Sequence, residues 1–384
     1  MSRPRIFLDH ASGSPTRPEV VALMSDLQRA GIGNPSGGHA EARRARAVLD
    51  EARSSLAQDL GVEPRQVTFT ATASEALALG LHSVLTPALR LYTTAGEHRG
   101  ARALASQHAA MGGDVELIPL GADGVMQLSD HRRPTEGAAG LLSLASGEVG
   151  TIQPWSEVLQ RWREAAGGPL VIDAVQAAYH GAITASDIGA DHFVIGSAKV
   201  GGPFGVAALI SAPEAKVRPM IVGGGQERGR RGGTEAVTLA AGFAAAFRAH
   251  RAHIDQSRNR LQACAQSFDE ALGPLSTLGL VPTGAPFTSE ARLAGHRSYA
   301  ARWALGDDLV AALDHAGIAA STGSACVSGS REPSEGLLAL GLSDSESRGG
   351  LRFSFGTTTT EDEVRSAARI VREVLERVRG AVPA

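Results

Sequence analysis

Short apolar runs broken by small and polar residues fill the first two thirds of the chain. Val67-Thr68-Phe69-Thr70 has the composition of a strand, and residues 74–84 follow with a helical pattern that has Ser74 near its start. Apolar runs at 89–93, 115–118, 140–145, 170–172, 192–195 and 205–210 predict further strands. Longer helical patterns separate them. Strands alternating with helices predict an α/β architecture, a parallel or mixed sheet covered on both faces. Ligands of such sheets bind beyond the carboxyl ends of the strands. His98, Glu148, Asp173 and Lys199 all fall at those ends. The pattern then changes. An Ala-rich helical stretch begins at 234, continues through Phe268, and contains the expected domain boundary. Strands near 298–303 and 351–355 and helices at 306–316 and 361–379 predict a smaller α+β unit.

Composition narrows the function classes. The chain has 384 residues, 37 basic and 40 acidic, for a formal charge of −3. That balance argues against a dedicated nucleic-acid binder. Cys264 and Cys326 are the only cysteines, too few for a disulfide framework or a four-cysteine zinc site. No metal site is expected. The N-terminus has no apolar segment of signal-peptide type, and no apolar run is long enough to span a bilayer. The expectation is a soluble cytoplasmic protein without a membrane partner. One bias stands out: Lys199 and Lys216 are the only lysines, so the other 35 basic residues are arginine. A lysine kept in a Gly-rich segment then invites a functional question.

Several residues carry two readings. Lys199, in Gly-Ser-Ala-Lys-Val-Gly-Gly-Pro, is either a surface lysine at a strand end or an amine held for Schiff-base chemistry. Asp173 is either a helix cap or a carboxylate paired with a pyridinium nitrogen. Thr72-Ala73-Ser74-Glu75 is an ordinary helix cap or an anion site. Residues 223–234, with Arg228, Arg230 and Arg231, form a solvated loop or an anion clamp. His98 is a surface histidine or a ring that stacks on a planar cofactor. Cys264 has core surroundings. Cys326, in Ser-Thr-Gly-Ser-Ala-Cys-Val-Ser-Gly-Ser, has the context of a presented thiol.

These residues resemble the cysteine desulfurases, pyridoxal-phosphate enzymes of the class V aminotransferase group. The likeness runs from Phe7-Leu8-Asp9-His10-Ala11 through Gly33-Asn34-Pro35-Ser36, Glu97-His98, Glu148-Val149-Gly150-Thr151 and Asp173-Ala174-Val175-Gln176. It continues through 223–234, the Ser321-to-Cys326 segment and Arg352-Phe353-Ser354. The resemblance implies a fold-type I architecture: a large domain at 12–245 with a mainly parallel seven-stranded sheet, and a small domain formed by 1–11 and 246–384. It implies pyridoxal 5'-phosphate bound covalently by Lys199, its ring nitrogen on Asp173, its phenolic oxygen on Gln176 and its face under His98. Ala73, Ser74 and Thr234 would contact the phosphate, Thr234 from the second subunit of a homodimer, with Ser197 supplying part of a lost contact. Arg352 would take the substrate carboxylate, with Asn34 nearby, and Cys326 would accept sulfur from L-cysteine. An iron–sulfur scaffold or a tRNA-thiolation relay would receive it.

The chain departs from the family pattern at four positions. Gly147 and Ala78 stand where asparagine is usual, Ala198 where histidine is usual, and Thr72 where glycine is usual. These departures motivate two rival expectations: another lyase of the same fold, acting on selenocysteine or a different C–S bond, or a degenerate sulfur-relay scaffold.

Overall fold

The computed structural model describes residues 5–128, 134–165, 167–181, 183–324 and 332–381. The strands are β1 (Ile6–Phe7), β2 (Val67–Thr70), β3 (Leu91–Thr93), β4 (Val115–Leu117), β5 (Ala139–Ser143), β6 (Leu170–Asp173), β7 (His192–Gly196), β8 (Ala207–Ser211), β9 (Leu280–Pro282), β10 (His296–Ala301), β11 (Ile318–Ala319) and β12 (Gly350–Ser354). Among the described residues, β2-β8-β7-β6-β5-β3-β4 form one seven-stranded sheet. Its β3 to β7 neighbours are parallel, and β8 runs antiparallel to both β2 and β7.

Successive side chains on a strand point to opposite faces, and here both faces are buried. Ile172, Phe193, Ile195, Ala208 and Ile210 enter one core, whereas Val171, Val194 and Leu209 enter another on the opposite side. The first face is covered by α1 (Pro18–Arg29), α2 (Ala40–Leu60) and, later in the chain, α8 (Val237–Ala252); α3 (Ala73–Val84) and α4 (Arg99–Ala110) cover the second. The remaining helices before α8 are α5 (Trp155–Ala165), α6 (Ala177–His180) and α7 (Ala185–Ile188). The long helical pattern after 234 is two helices, α8 and α9 (Ile254–Leu272), broken at His253. Helix α9 contributes Leu261, Cys264 and Phe268 to a separate core with β10, β12 and the helix Glu361–Ala381. Ile6 and Leu8 join that core, because β1 pairs with β11 in parallel. The N-terminal segment therefore belongs with the C-terminal lobe.

Candidate active site

Strand register levels the chemistry. Ser143 on β5 lies opposite Asp173 on β6, which lies opposite Val194 on β7. Strand β7 then runs into the one-turn helix Ser197–Val200, which carries Lys199. The junction is close-packed: a Cβ at Gly196 would make ordinary contacts with Val175 at 3.4 Å and Ala73 at 3.9 Å. Helix α3 thus starts beside this junction, capped by the Thr72 hydroxyl, which accepts from the Glu75 N–H at 3.0 Å. That cap is the local use of the threonine found where the family usually has glycine. Ser74 stands exposed, its Oγ about 3.1 Å from where a Gly100 side chain would begin. The same Gly100 N–H donates to His98 Nδ1 at 3.1 Å, so His98 caps α4 next to Ser74. The structure therefore gathers Ala73, Ser74, His98, Asp173 and Lys199 around the carboxyl ends of β3, β6 and β7.

Their electrostatics are mutually dependent. Burial raises the Asp173 carboxyl above its usual range, while the Val175 N–H at 2.9 Å, His98 and Lys199 oppose that shift. Burial lowers His98, and Asp173 opposes it. Burial and the Arg352 guanidinium bring Lys199 down to about 8, against Asp9 and Asp173. Perturbed groups of this kind concentrate at functional sites.

Arg352 enters from β12 of the other lobe. It donates to Asp9 at 2.6 Å, Ser12 Oγ at 2.7 Å and the Gly147 carbonyl at 2.8 Å. The Ser12 carbonyl in turn accepts from Lys199 Nζ at 2.6 Å. Asp9 and Ser12 thus tie the arginine and the lysine together. The sequence alone does not indicate their role, although Asp9 sits in the N-terminal motif of the family resemblance. Glu97 was also missed as a site group. It is buried, accepts from Thr94 Oγ1 at 3.1 Å and from both the N–H and hydroxyl of Ser143, and burial raises it to about 7. His296 had no sequence signal at all. It shares the Gly147 carbonyl with Arg352, at 3.1 Å from Nε2.

The other predicted residues are placed as follows. Gln176 Nε2 donates to the Ala11 carbonyl at 2.9 Å, and its Oε1 is buried with no partner among the described residues. A side chain on Gly147 would begin 2.9 Å from Gln176 Nε2, so the glycine leaves room for this carboxamide. Ser197 is fully buried and its hydroxyl faces Gly202. Asn34 is exposed in the loop before α2, where its Oδ1 accepts from the Ser36 N–H at 2.9 Å. No hydrogen bond among the described residues joins it to Arg352. Thr234 is exposed on the 223–234 loop and makes no such contact with Ala73 or Ser74. That loop is not the freely solvated segment considered above: Arg231 pairs with Glu75 at 2.8 Å, and Glu227 is buried against Arg53. Cys326 lies outside the described residues.

The model of the aminotransferase class-V family matches residues 6–366. The chain belongs to that family. It is 34% identical to an IscS-like cysteine desulfurase of Mycobacterium tuberculosis, covering 98% of this chain and 97% of that one. It is 33% identical to a cysteine desulfurase of a Frankia strain, over 97% and 92% of the two chains. Among solved structures it is similar to SspA in complex with cysteine, at 27% identity and a TM-score of 0.75, over 91% of this chain and 98% of that one. A NifS-like protein with a TM-score of 0.86 and 24% identity, covering 97% of this chain and all of that one, shows the same fold.

The residues present fit pyridoxal phosphate. The fit rests on a lysine with a lowered pKa, a buried carboxyl on the neighbouring strand that interacts with its charge, an exposed histidine ring near them, and a buried Gln176 oxygen that a bound hydroxyl would satisfy.

Proposed function

We propose that this protein is a pyridoxal-phosphate-dependent cysteine desulfurase. It converts L-cysteine and an enzyme thiol to L-alanine and an enzyme persulfide, a balanced transfer of one sulfur atom to Cys326. The observation that carries the reading is the gathering of Lys199, Asp173 and His98 beyond the carboxyl ends of β7, β6 and β3, with Arg352 reaching in from β12. Its support from relatives is their name, shared over nearly the full chain.

The bound cofactor supplies an electron sink for the pair left at the substrate Cα. Lys199 would hold it, and the Lys199 amine would move the Cα proton. Asp173 would favour a protonated ring nitrogen, and Gln176 would hold the phenolic oxygen. His98 would lie against the ring, and Ala73 with Ser74 at the start of α3 would take the phosphate, together with Thr234 of a second copy. Arg352 exchanges part of its bonding to Asp9 for the substrate carboxylate. A planar guanidinium suits that bidentate exchange.

The finer features belong to the same reading. The proposed division is a large domain at 12–245 and a small one at 1–11 with 246–384; two separate cores support it in outline, although Ala246 and Phe247 of α8 pack in the first core and Tyr179 in the second. A homodimer is supported by Phe204, Met220, Ile221 and Val222, exposed apolar residues on and near the segment that leads to Thr234. Sedimentation at twice the chain mass tests it. No described helix is long and apolar enough to cross a membrane. The cytoplasm is the proposed location, and a scaffold or relay protein that takes the persulfide is the proposed partner.

The test is alanine formed from L-cysteine with added pyridoxal phosphate and a reductant. The parent should form it, and Lys199→Ala and Cys326→Ser should each lose at least about 100-fold, the scale of a lost proton-transfer group. Alanine formation at parental rate by Cys326→Ser would point to a C–S lyase that holds no sulfur covalently.

A further inference from the structure

Away from the site above, a cleft opens between residues of the two lobes, and none of Lys199, Asp173, His98 or Arg352 lines it. Its volume of 460 Å³ falls within the range of small-molecule sites. Trp155 and His180 line it from the large lobe, and Arg258, Phe287, Arg292 and Arg297 from the small one. Trp155 Nε1 donates to the Ile188 carbonyl at 2.8 Å, which fixes the indole in the wall. The Phe287 ring lies against two guanidiniums, Arg292 at 4.5 Å and Arg297 at 4.6 Å.

The charges in this cleft are unevenly matched. Arg297 has its carboxylate, Asp269, at 2.7 Å. Arg292 has none among the described residues. It is 5% exposed and donates only to the carbonyls of Ala285, Thr283 and His296 and to the Ser298 hydroxyl. Burial and repulsion from Arg297 lower its pKa to about 9, against a smaller opposing pull from Tyr299 and Asp269. Arg258 is exposed on α9, with no acidic partner among the described residues. Two carboxylates also line the cleft. Asp187 is spent on capping α7 through Thr184, and Glu290 is exposed. A buried cation without a counter-charge is costly, and a seated anion offsets that cost.

We propose that this cleft binds a small planar carboxylate, its ring against Trp155 and Phe287 and its charge directed to Arg258 and Arg292. Such a ligand would touch both lobes. The wall it touches is already bonded toward the active site: Ile152 N–H donates to Ala291 at 2.7 Å, Leu293 N–H to Gly150 at 2.9 Å, and His296 meets the Gly147 carbonyl that Arg352 also holds.

The probe is 4-nitrobenzoate, a planar carboxylate that quenches indole emission, titrated into the full chain. Saturable quenching is expected. It should vanish in Trp155→Phe, weaken about threefold to fivefold in Arg258→Ala, the scale of an exposed ion pair, and vanish in Gln262→Phe. The last variant fills the cleft from an exposed helix position, so its fold, checked by thermal unfolding, should be intact. The neutral analogue 4-nitrobenzamide should bind more weakly than the acid. Non-saturating quenching, equal binding of acid and amide, or full binding by Gln262→Phe would each overturn the proposal.

Discussion

An ordinary lysine amine titrates near ~10.4 and is almost wholly protonated at neutral pH. Lys199 is drawn down to about 8 by burial and by Arg352, so an appreciable share is free base at pH 7.5. The low lysine count makes this measurable. Reductive ¹³C-methylation leaves two lysine signals, of which one vanishes in Lys199→Ala. That signal is expected to titrate near pH 8, and a midpoint above 10 would contradict the site as described. Lys199, Asp173 and His98 were legible in the sequence because each follows an apolar run that marks a strand end. Asp9 and Ser12 were not legible as partners of Arg352, since the contacts span 343 and 340 residues. Only the fold brings them together.

At the scale of elements, the strands of the seven-stranded sheet were legible to within a few residues, because burial on both faces leaves near-continuous apolar stretches, whereas the short β1, β9 and β11 were not. The 223–234 loop was not. Its glycines and arginines have the composition of a solvated segment, yet Glu227 and Arg228 hold left-handed conformations, at φ of 48° and 57°. Glu227 is 5% exposed, pairs with Arg53 at 2.7 Å and accepts from the Phe69 N–H at 2.9 Å. Arg230 reaches the Arg65 carbonyl at 2.6 Å. The loop is pinned to β2, which fixes the segment that carries Thr234. Glu227→Ala leaves Arg53 buried without its counter-charge and should cost about 3–5 kcal/mol in urea unfolding. Arg53→Met with Glu227→Leu should recover most of that loss. A single variant within about 0.5 kcal/mol of the parent would show that the anchor is not needed.

For the whole molecule, two lobes with separate cores meet around the site, and the pH dependence of stability reports on their buried groups. His250, on α8, stacks on Tyr179 with ring centroids 5.5 Å apart. Neither of its ring nitrogens makes a well-formed hydrogen bond among the described residues, and the nearby Tyr179 and Ala178 backbone oppose the effect of burial only weakly. Burial lowers it from 6.5 to about 4. Between those values the unfolded chain binds a proton that the native state does not, so this group destabilises the fold as pH falls from ~6.5 towards ~4. Glu97, raised to about 7, acts in the opposite sense: the native state holds its proton where the unfolded chain has lost it. His250→Phe isolates the histidine contribution. Its stability relative to the parent should be higher at pH 5 than at pH 8 by about 2 kcal/mol. An equal difference at the two pH values would mean that His250 protonates as readily in the fold as outside it.

The central claim, that Lys199 is the residue that binds pyridoxal phosphate, has a direct test. The protein is incubated with pyridoxal phosphate, treated with borohydride to lock any covalent attachment, digested, and mapped by mass spectrometry. The account predicts stoichiometric label on the peptide carrying Lys199, with labelling sharply reduced in Asp173→Ala. Label on Lys216 instead, or no label on either lysine, would contradict it.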